Sequence, residues 1–476
     1  MNKIKNVLYN KSHPLWVFIQ QFALRGLLGI KFLLIARLLD PVDVGLITIA
    51  LISLTLTEAL TEMGLMQAIV QNKNRVEHIR VIWTLQFIRG FIITVILLIL
   101  NNYVVILFNE PDAKYILFLA AFVPLIKNVS SSNFYYAVRD KNFKVISIIY
   151  GLTGLIDLVG SIILIAIFKD PIFAIASLLI AELIKSILTH VVFGWTIKFD
   201  FRFYLIKDLL VYGRWIWGNS ISSFFVNQFD KIIASTFLGT KILGLYQMGQ
   251  KVTQMAIADI SFAAGQYLFP QFSQMYRNNN NDRNLKKFYS NVMLLMIGFS
   301  VVISSFVIIY AKQIILIVFG IGWEEMNNII KLMIISSSLS AITYVSVVYN
   351  RAIGKPKKVT IVSYIQLIVF VSLCFILVHP LNINGLILGN IISYLLGLLL
   401  LNYSFENKIK YVINSVKENY VMVIVTTGII ALMLTINKVT PSILGFFLSL
   451  VFLMFGVFYL GQKFMKRRPT DSLETM

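Results

Sequence analysis

The run VGLITIALISLTLTEALTEMGLMQAIV, residues Val44–Val70, is almost entirely apolar or small, yet it carries two glutamates. A helix of this length can span the ~30 Å hydrocarbon core of a membrane. Glu58 and Glu62 are four residues apart, so one helix face presents both carboxylates. Because an acid in hydrocarbon is costly, two on one stripe indicate a face that meets protein or water instead of lipid. The run therefore predicts a membrane-spanning helix with one face that contacts polar groups instead of lipid.

Hydrophobic residues make up 58% of the 476-residue chain and charged residues only 13%, a balance outside the range of soluble globular proteins. Apolar runs of spanning length recur from end to end, which predicts an all-α polytopic membrane protein. The first run carries Arg25 and Lys31 and is followed by no small-residue cleavage site, so we expect it to be retained. The fourteen predicted spans are 14–35, 44–70, 80–104, 115–135, 145–168, 171–193, 213–236, 241–268, 288–309, 328–349, 359–379, 383–405, 418–436 and 440–462.

The net charge of +20 is distributed unevenly along the chain. If alternate connections are assigned to the cytoplasm together with both termini, that side receives most of the Lys and Arg residues, as the positive-inside rule requires. The excess therefore indicates topology and not nucleic-acid binding, and anionic lipid headgroups are the expected local partners. The basic cytoplasmic segments are 3–11, 73–80, 139–144, 198–214, 277–287, 351–358, 408–417 and 463–468.

Charged residues also fall inside the predicted spans. At ~3 kcal/mol each in mid-bilayer they are too costly to face lipid, so they must pair, reach the interface or line a wet interior. Arginine can clamp phosphate with two donors and lysine acts as a point charge, so the cations are candidates for binding an anionic cargo. The cations are Arg25, Lys31, Arg89, Lys127, Lys185, Lys231 and Lys251, and the acids are Glu58, Glu62, Asp157, Glu182, Asp230 and Asp259.

Local sequence separates these cations. Arg25, Arg89 and Lys127 have no acid within one turn of the same helix, so a cavity-lining role is favoured for all three. Lys31 lies close to the outer end of its span, where we expect the long side chain to snorkel to the interface. The sequence therefore predicts a cationic cavity built around the first three.

For two further cations, pairing on the same helix is an equal alternative to cargo binding. Lys185 follows Glu182 by three residues, and Lys231 adjoins Asp230. Neighbours at these spacings can neutralise each other without any ligand. Both readings stay open for Lys185 and Lys231.

Span 241–268 carries a polar stripe that suits a cavity wall. Gln247, Lys251 and Gln254 are spaced i, i+4 and i+7, so they share one helix face and could offer amide and ammonium groups to sugar hydroxyls. Hydrogen bonds between helices of a bundle are an equal alternative.

The acids are interpreted as charge partners or as sites for a coupling ion. Glu58 and Glu62 could balance Arg25 or Arg89 from a neighbouring helix. Alternatively, they could bind H⁺ or Na⁺, because burial raises the pKa of a carboxyl group toward neutrality. Glu62 lies near the cytoplasmic end of its helix, where anchoring of the loop is favoured, so the ion role is favoured only for Glu58. The same two roles are open for Asp157, Asp230 and Asp259.

The chain repeats itself weakly at offsets near 200 residues. Three matches in the same order indicate duplication of a six-helix unit. Since six is even, both halves enter the membrane from one side, which places a substrate site between parallel lobes. We expect lobes at 1–207 and 208–410, with two extra helices and a basic tail at 411–476. The matched pairs are Leu38–Leu46 with Phe237–Leu245, LFNEPDAKYI from Leu107 with VFGIGWEEMN from Val318, and Tyr136–Val145 with Tyr349–Val359.

Four segments of the chain resemble a known protein family. ARLLDPVDVGLITIA from Ala36, EMGLMQAIVQ from Glu62, YAVRDKNFK from Tyr136 and VFGIGWEE from Val318 resemble the polysaccharide flippases of the multidrug/oligosaccharidyl-lipid/polysaccharide exporter superfamily. The family's usual aspartate before the glycine is replaced by Glu62. The resemblance covers about the first 360 residues.

The resemblance implies a two-lobed transporter of the bacterial inner membrane that works by alternating access. Its cargo would be undecaprenyl-pyrophosphate-linked oligosaccharide, such as O-antigen or capsule repeats of lipopolysaccharide and polysaccharide export, moved from the cytoplasmic to the periplasmic leaflet. No cofactor is expected beyond a possible coupling ion, H⁺ or Na⁺. Glycosyltransferases and a polymerase are the expected partners.

Two other functions are weighed against this one. An integral-membrane polymerase or sugar transferase should carry a large outer loop with catalytic residues, whereas the longest outer connection, 310–327, is short. A cation-coupled drug exporter of the same fold is disfavoured by the cations within the spans. Four scattered histidines, one cysteine at Cys374 and no nucleotide-binding loop exclude a thiolate metal site, a disulfide framework and hydrolysis of ATP by this chain.

The charge asymmetry predicts which loops face the cytoplasm. Single cysteines introduced as Asn142→Cys, Asn279→Cys and Lys357→Cys, on a Cys374→Ser background, should resist a membrane-impermeant thiol reagent in intact cells. Permeabilised cells, in which all three should react, supply the control. Labelling of Asn279→Cys in intact cells would reverse the whole orientation.

Overall fold

The computed structural model describes residues 16, 19–20, 26–71, 79–277, 282–403, 420–440 and 443–466, and Arg25 lies outside them. All regular secondary structure in these ranges is helical, and seven of their helices are long and apolar enough to cross a membrane. The predicted all-α polytopic class is therefore confirmed. The orientation of the termini stays a prediction.

The first of two compact units comprises residues 1–248. Its long helix α8 packs against α9 and α1, α4 packs against α5 and α6, and α2 lies against α5 and α10. Its helices are α1 Leu27–Ile35, α2 Pro41–Leu60, α3 Leu65–Gln71, α4 Ile79–Phe108, α5 Ala113–Ala120, α6 Val123–Val129, α7 Phe134–Arg139, α8 Phe143–Phe168, α9 Ile172–Phe193, a 3₁₀ turn Phe203–Ile206, α10 Lys207–Leu238 and the start of α11 Thr240–Thr253.

The second unit comprises residues 249–476. Helix α15 packs against α12, α13 and α16, while α17 and α18 pack on each other and on α13, where Tyr310 and Ser449 share a hydrogen bond of 2.7 Å. Its helices are the end of α11, a π turn Gln254–Ala258, α12 Asp259–Arg277, α13 Asp282–Ile309, α14 Ala311–Val318, α15 Met326–Ala352, α16 Pro356–Asn402, α17 Tyr420–Val439 and α18 Ile443–Lys466. The predicted lobe boundary at 207/208 stays a prediction.

Five predicted spans differ from the observed helices. The span 44–70 is divided into α2 and α3 by a turn at residues 61–64, so Glu62 lies just beyond the end of α2. The span 115–135 is broken into α5 and α6, because Pro124 in the first turn of α6 has no backbone N–H to continue α5. The span 241–268 contains a π turn and runs on to Arg277. The two spans 359–379 and 383–405 lie within α16, where Asn382 has non-helical dihedral angles two residues after Pro380.

Two loops of the internal repeat end their helices with the same hydrogen bonds. After α7, the N–H of Lys141 donates to Val138 O and that of Asn142 donates to Ala137 O. After α15, the N–H of Gly354 donates to Arg351 O and that of Lys355 donates to Asn350 O, so every group is shifted by one constant offset. Lys141 and Gly354 both have positive φ, 56° and 75°, as this left-handed cap requires. The shared geometry supports the duplication.

A second repeated pair, Leu38–Leu46 with Phe237–Leu245, produces a reciprocal contact within the first unit. Gly45 of α2 faces the carbonyl oxygen of Thr240, and Gly244 of α11 faces the carbonyl oxygen of Pro41. A Cβ added at Gly45 would lie 2.1 Å from Thr240 O, and one at Gly244 would lie 1.8 Å from Pro41 O. Only glycine permits this approach of backbone to backbone. The starts of α2 and α11 therefore meet through matching residues of the repeat.

The contact predicts that Gly244→Ala destabilises the protein by about 1–3 kcal/mol, because its methyl group must displace the backbone at Pro41. Gly151→Ala in α8 is the matched control, since a Cβ there meets nothing within 4 Å. The thermal midpoint of the detergent-solubilised protein measures both. A drop for Gly244→Ala with none for Gly151→Ala is expected, and equal midpoints would contradict the close approach.

Candidate functional site

The end of α2 is shaped by Glu62 and by the turn that follows it. Glu62 Oε1 accepts a hydrogen bond of 2.8 Å from the N–H of Gly64, whose φ of +59° carries the chain out of the helix. Helix α10 packs against this turn. Trp217 Nε1 donates to Leu60 O at 2.7 Å, and Gly213 lies so close to Met63 that an added Cβ would be 1.9 Å from Met63 O. Glu62 thus anchors the loop and still presents its second carboxylate oxygen.

Arg89 of α4 binds that second oxygen. Its Nη2 donates to Glu62 Oε2 at 3.2 Å and to Glu58 O at 3.0 Å, and its Nε donates to Thr61 Oγ1 at 3.2 Å. The Arg89 side chain is 14% exposed. Three contacts to one helix end fix the guanidinium in position, so Arg89 joins α4 to α2.

Lys127 of α6 binds the other glutamate. Its Nζ donates to Glu58 Oε1 at 2.8 Å and to Oε2 at 3.0 Å. The Lys127 side chain is 44% exposed and that of Glu58 is 29% exposed, so this pair is far more open than Arg89. The end of α2 therefore carries two ion pairs, the less exposed Arg89–Glu62 pair and the accessible Lys127–Glu58 pair.

A third pair lies on the neighbouring helix α9. Lys185 Nζ binds both carboxylate oxygens of Glu182 at 2.8 Å and lies 5.3 Å from the centroid of the Tyr150 ring. Helix α9 packs on α6, and Glu182 acts electrostatically on the ammonium of Lys127. We name these six residues the charge cluster: Glu58, Glu62, Arg89, Lys127, Glu182 and Lys185.

The charge cluster has three acids and three bases and is formally neutral. The predicted cationic cavity therefore has, in this conformation, a carboxylate on each of its described cations. Whether Arg89, Lys127 and Lys185 bind cargo stays a prediction, as does the role of Glu58 as a coupling-ion site. Lys127 Nζ directs two hydrogen bonds to Glu58, so an anion that binds Lys127 meets Glu58 as a competitor.

Asp230 and Lys231 of α10 do not pair through their side chains. Asp230 Oδ1 accepts from the backbone N–H of Lys231 at 2.9 Å, and Oδ2 accepts from Tyr246 OH at 2.8 Å. Lys231 Nζ donates to Gln228 Oε1 at 3.0 Å and to a carbonyl one turn before. Both side chains are buried, and the bond between Asp230 and Tyr246 joins α10 to α11, whereas the bonds of Lys231 lie within α10. No pattern in the sequence indicated Tyr246 as the partner of Asp230.

The predicted polar stripe loses its regular spacing. Gln247 and Lys251 lie on α11, but Gln254 begins the π turn, whose wider turn shifts every later side chain around the axis. Gln247 Oε1 is buried and has no hydrogen-bond partner in the described part of the chain. Asp259, the first residue of α12, is exposed. The roles predicted for these four residues stay predictions.

The expectation for Lys31 is wrong. Its side chain is 5% exposed, and Nζ donates to Asp157 Oδ1 at 2.6 Å and to Ala174 O at 3.2 Å. Ser161 Oγ also donates to Asp157 Oδ1, at 3.5 Å. The ammonium is held inside the bundle of α1, α8 and α9 because its partner Asp157 lies there. The sequence shows that Lys31 and Asp157 carry opposite charges in two different spans, but it does not show that they bind each other.

No group of three or more His, Cys, Asp or Glu side chains able to hold a metal ion occurs among the described residues. The chemistry that the charge cluster offers is the exchange of one oxyanion for another on an ammonium or guanidinium group. Phosphate oxygens are suited to such an exchange, because they are acceptors of the same kind as carboxylate oxygens.

The profile of one protein family, described as "Polysaccharide biosynthesis protein", matches residues 34–328 of the chain. The lipopolysaccharide biosynthesis protein WzxC of Escherichia coli strain K12 is 21% identical over 347 residues, which cover 69% of this chain and 66% of that protein. A putative O-antigen transporter of Shigella flexneri is 23% identical over 236 residues, covering 49% and 55%. The chain thus spans 66% and 55% of the length of these two relatives.

Among solved structures, the lipid II flippase MurJ in an inward closed conformation has the same fold. The TM-score is 0.72 at 13% sequence identity, and the match covers 95% of this chain and 99% of that one. At this identity the likeness concerns the fold alone.

The buried Lys31–Asp157 pair gives a prediction on stability. Lys31→Met should cost about 3–5 kcal/mol, because it leaves the Asp157 carboxylate buried without its partner. Lys31→Met combined with Asp157→Leu removes both charges and should recover most of that loss. Thermal midpoints of the purified single and double variants measure the effect. A double variant no more stable than Lys31→Met would contradict the pairing.

Proposed function

Because the chain belongs to the family of polysaccharide biosynthesis proteins, we propose that it is a flippase of the bacterial inner membrane for lipid-linked oligosaccharides. The cargo is an oligosaccharide on an undecaprenyl diphosphate, carried from the cytoplasmic to the periplasmic leaflet by alternating access. The protein is a transporter and not an enzyme. Glycosyltransferases that build the cargo and a polymerase that consumes it are its partners, and both termini lie in the cytoplasm.

The observation that supports this proposal is the accessible Lys127–Glu58 pair within the spans of the first unit. A diphosphate headgroup needs cations inside the membrane, and neutral sugars need hydrogen-bonding groups beside them. The cluster offers both, with Arg89 fixed by three contacts and Lys127 open to replacement of its partner. The proposed binding step replaces Glu58 on Lys127 by a phosphate oxygen.

This exchange keeps the Lys127 ammonium paired at every stage. A new charge-assisted hydrogen bond to phosphate offsets the lost one to Glu58, so the net cost of binding is small. Once released, Glu58 has lost the partner that it has in the described part of the chain, and a coupling ion, H⁺ or Na⁺, can take the place of the Lys127 ammonium. Glu58 is therefore the proposed coupling-ion site, while Glu62 keeps the loop and Arg89 in place.

The two ion pairs predict different outcomes for their neutral variants. Lys127→Gln should leave the amount of inserted protein unchanged but weaken cargo binding about ten- to a hundredfold, since a charge-assisted contact is worth roughly 1.5–3 kcal/mol. Arg89→Gln should lower the amount of inserted protein, because it frees Glu62 and the end of α2. Surface polysaccharide in a strain that lacks its own flippase, normalised to inserted protein, is the measurement.

Lys127→Arg retains the charge and should restore most of the polysaccharide. Lys114→Gln, an exposed lysine at the start of α5, is the matched control for loss of one positive charge. Normal polysaccharide from Lys127→Gln would rule out the cargo role of Lys127. Polymer formed by purified protein from lipid-linked units would move the protein to the enzyme class.

A further inference from the structure

A cavity of about 440 Å³ lies where α15 ends and α16 begins. The chain leaves α15 through Gly354, whose positive φ turns it back so that α16 can start at Pro356. A Cβ added at Gly354 would meet nothing within 4 Å, so the backbone here borders open space. The lining residues are Gly354, Lys355, Lys357, Lys358, Ile361 and Val362.

Three lysines line this cavity, and none of its lining residues is acidic. Lys355 and Lys357 are exposed, and neither makes an ion pair or a side-chain hydrogen bond within the described part of the chain. Lys358 is half-buried, and its Nζ donates to Leu401 O at 2.8 Å, which ties it to the far end of α16. Like charges around one cavity repel each other, so an anion in the cavity would stabilise this arrangement.

The floor of the cavity is apolar and continues along the membrane-spanning part of α16. Ile361 lines the cavity and is 49% exposed, and Ile365 and Ile368 follow it at i+4 and i+7 with 36% and 64% exposure. Phe375 extends the same face two turns further, at 54% exposure. The stripe begins at the lysines and runs into the hydrocarbon, as the chain of a lipid does below its headgroup.

The corresponding loop of the first repeat is closed by the protein itself. There Lys144 Nζ lies 5.9 Å from the centroid of the Trp16 ring, and Ser147 Oγ donates to Trp16 O at 2.5 Å. The loops share their helix-ending hydrogen bonds. In the first repeat an aromatic ring of the chain serves as partner to the lysine, whereas Lys355 and Lys357 retain no such partner among the described residues.

We propose that this cavity is a binding site for an anionic phospholipid, with the phosphate headgroup on Lys355 and Lys357 and one acyl chain along Ile361, Ile365 and Ile368. The charge of the lining selects an anion, and the apolar stripe selects a lipid over a soluble phosphate. A cavity of this volume accommodates a phosphate headgroup with its glycerol. The site lies wholly in the second unit and is independent of the proposed cargo and of the charge cluster.

Native mass spectrometry of the full-length protein tests the proposal. Dioleoylphosphatidylglycerol and dioleoylphosphatidylcholine are added in equal amounts to the protein in detergent. The measured quantity is the ratio of the two lipids that stay bound to the protein at high collision energy. Lys355→Gln combined with Lys357→Gln should lower the phosphatidylglycerol preference about fivefold for each lysine removed. The matched control, Lys141→Gln combined with Lys198→Gln, removes two exposed charges from loops predicted on the same side and should leave the ratio unchanged.

Lys355→Arg combined with Lys357→Arg keeps both charges and should retain the preference, which excludes loss of folding as the cause. Equal ratios for the Gln pair and the control pair would overturn the site. Competition by glycerol phosphate or inorganic phosphate at concentrations similar to the lipid would show a site for a soluble anion and would overturn the lipid assignment. Ile365→Gln should lower the amount of each retained lipid without changing the ratio of the two, because both lipids carry the same acyl chains. Unchanged amounts in this variant would contradict the proposed acyl contact.

Discussion

A charge that this chain carries into the membrane needs a partner inside the protein unless it reaches water, because hydrocarbon provides neither water nor counter-ions. The described ion pairs of the spans follow this constraint, and two of the pairings that join different helices also hold those helices together: Arg89 binds α4 to α2, and Lys31 binds α1 to α8. The balance is local, so the charge cluster is neutral while the whole chain carries +20. Cargo chemistry and bundle stability thus draw on the same side chains.

The two ion pairs at the end of α2 illustrate how one helix serves both needs. Glu62 is bound on one oxygen by the turn at Gly64 and on the other by Arg89, so both of its oxygens already have a partner within the protein. Among the residues that the structure describes, the Glu58 carboxylate, one turn earlier, is bound by the half-exposed Lys127 alone. A charge with many partners fixes structure, whereas a charge with one accessible partner can exchange it. The difference depends on the number of contacts and on exposure, and not on the type of residue.

Close backbone contacts complete the first unit where side chains do not. Gly45 and Gly244 bring the starts of α2 and α11 together, and Gly213 brings α10 onto the turn after α2. In a membrane, helices gain little from the hydrophobic effect on packing together, so small residues that permit close approach replace it. The charge cluster is therefore held by a helix whose two ends are fixed by backbone contacts.

Much of this architecture was readable from the sequence because it depends on local or periodic properties. Apolar runs predicted the helices, including the change of direction in α16 near Pro380, and the weak repeat predicted loops that share their hydrogen bonds. The Gly and Asp residues of the signature indicated the family before any geometry was known. These features depend on composition and spacing over ten to thirty residues, which a single sequence contains.

Tertiary structure alone decided which charges on different helices meet. Lys31 and Asp157 are 126 residues apart, and Lys127 and Glu58 are 69 apart, so no helical spacing relates them. Lys31 was expected at the interface because its position along one helix is all that the sequence shows. Its burial depends on how α1 packs on α8 and α9. The break at Pro124 and the π turn at Gln254 likewise shift side chains around their helices. Sequence therefore determined which charges enter the membrane, and packing determined their partners, because pairing in a low dielectric is settled by distances between helices.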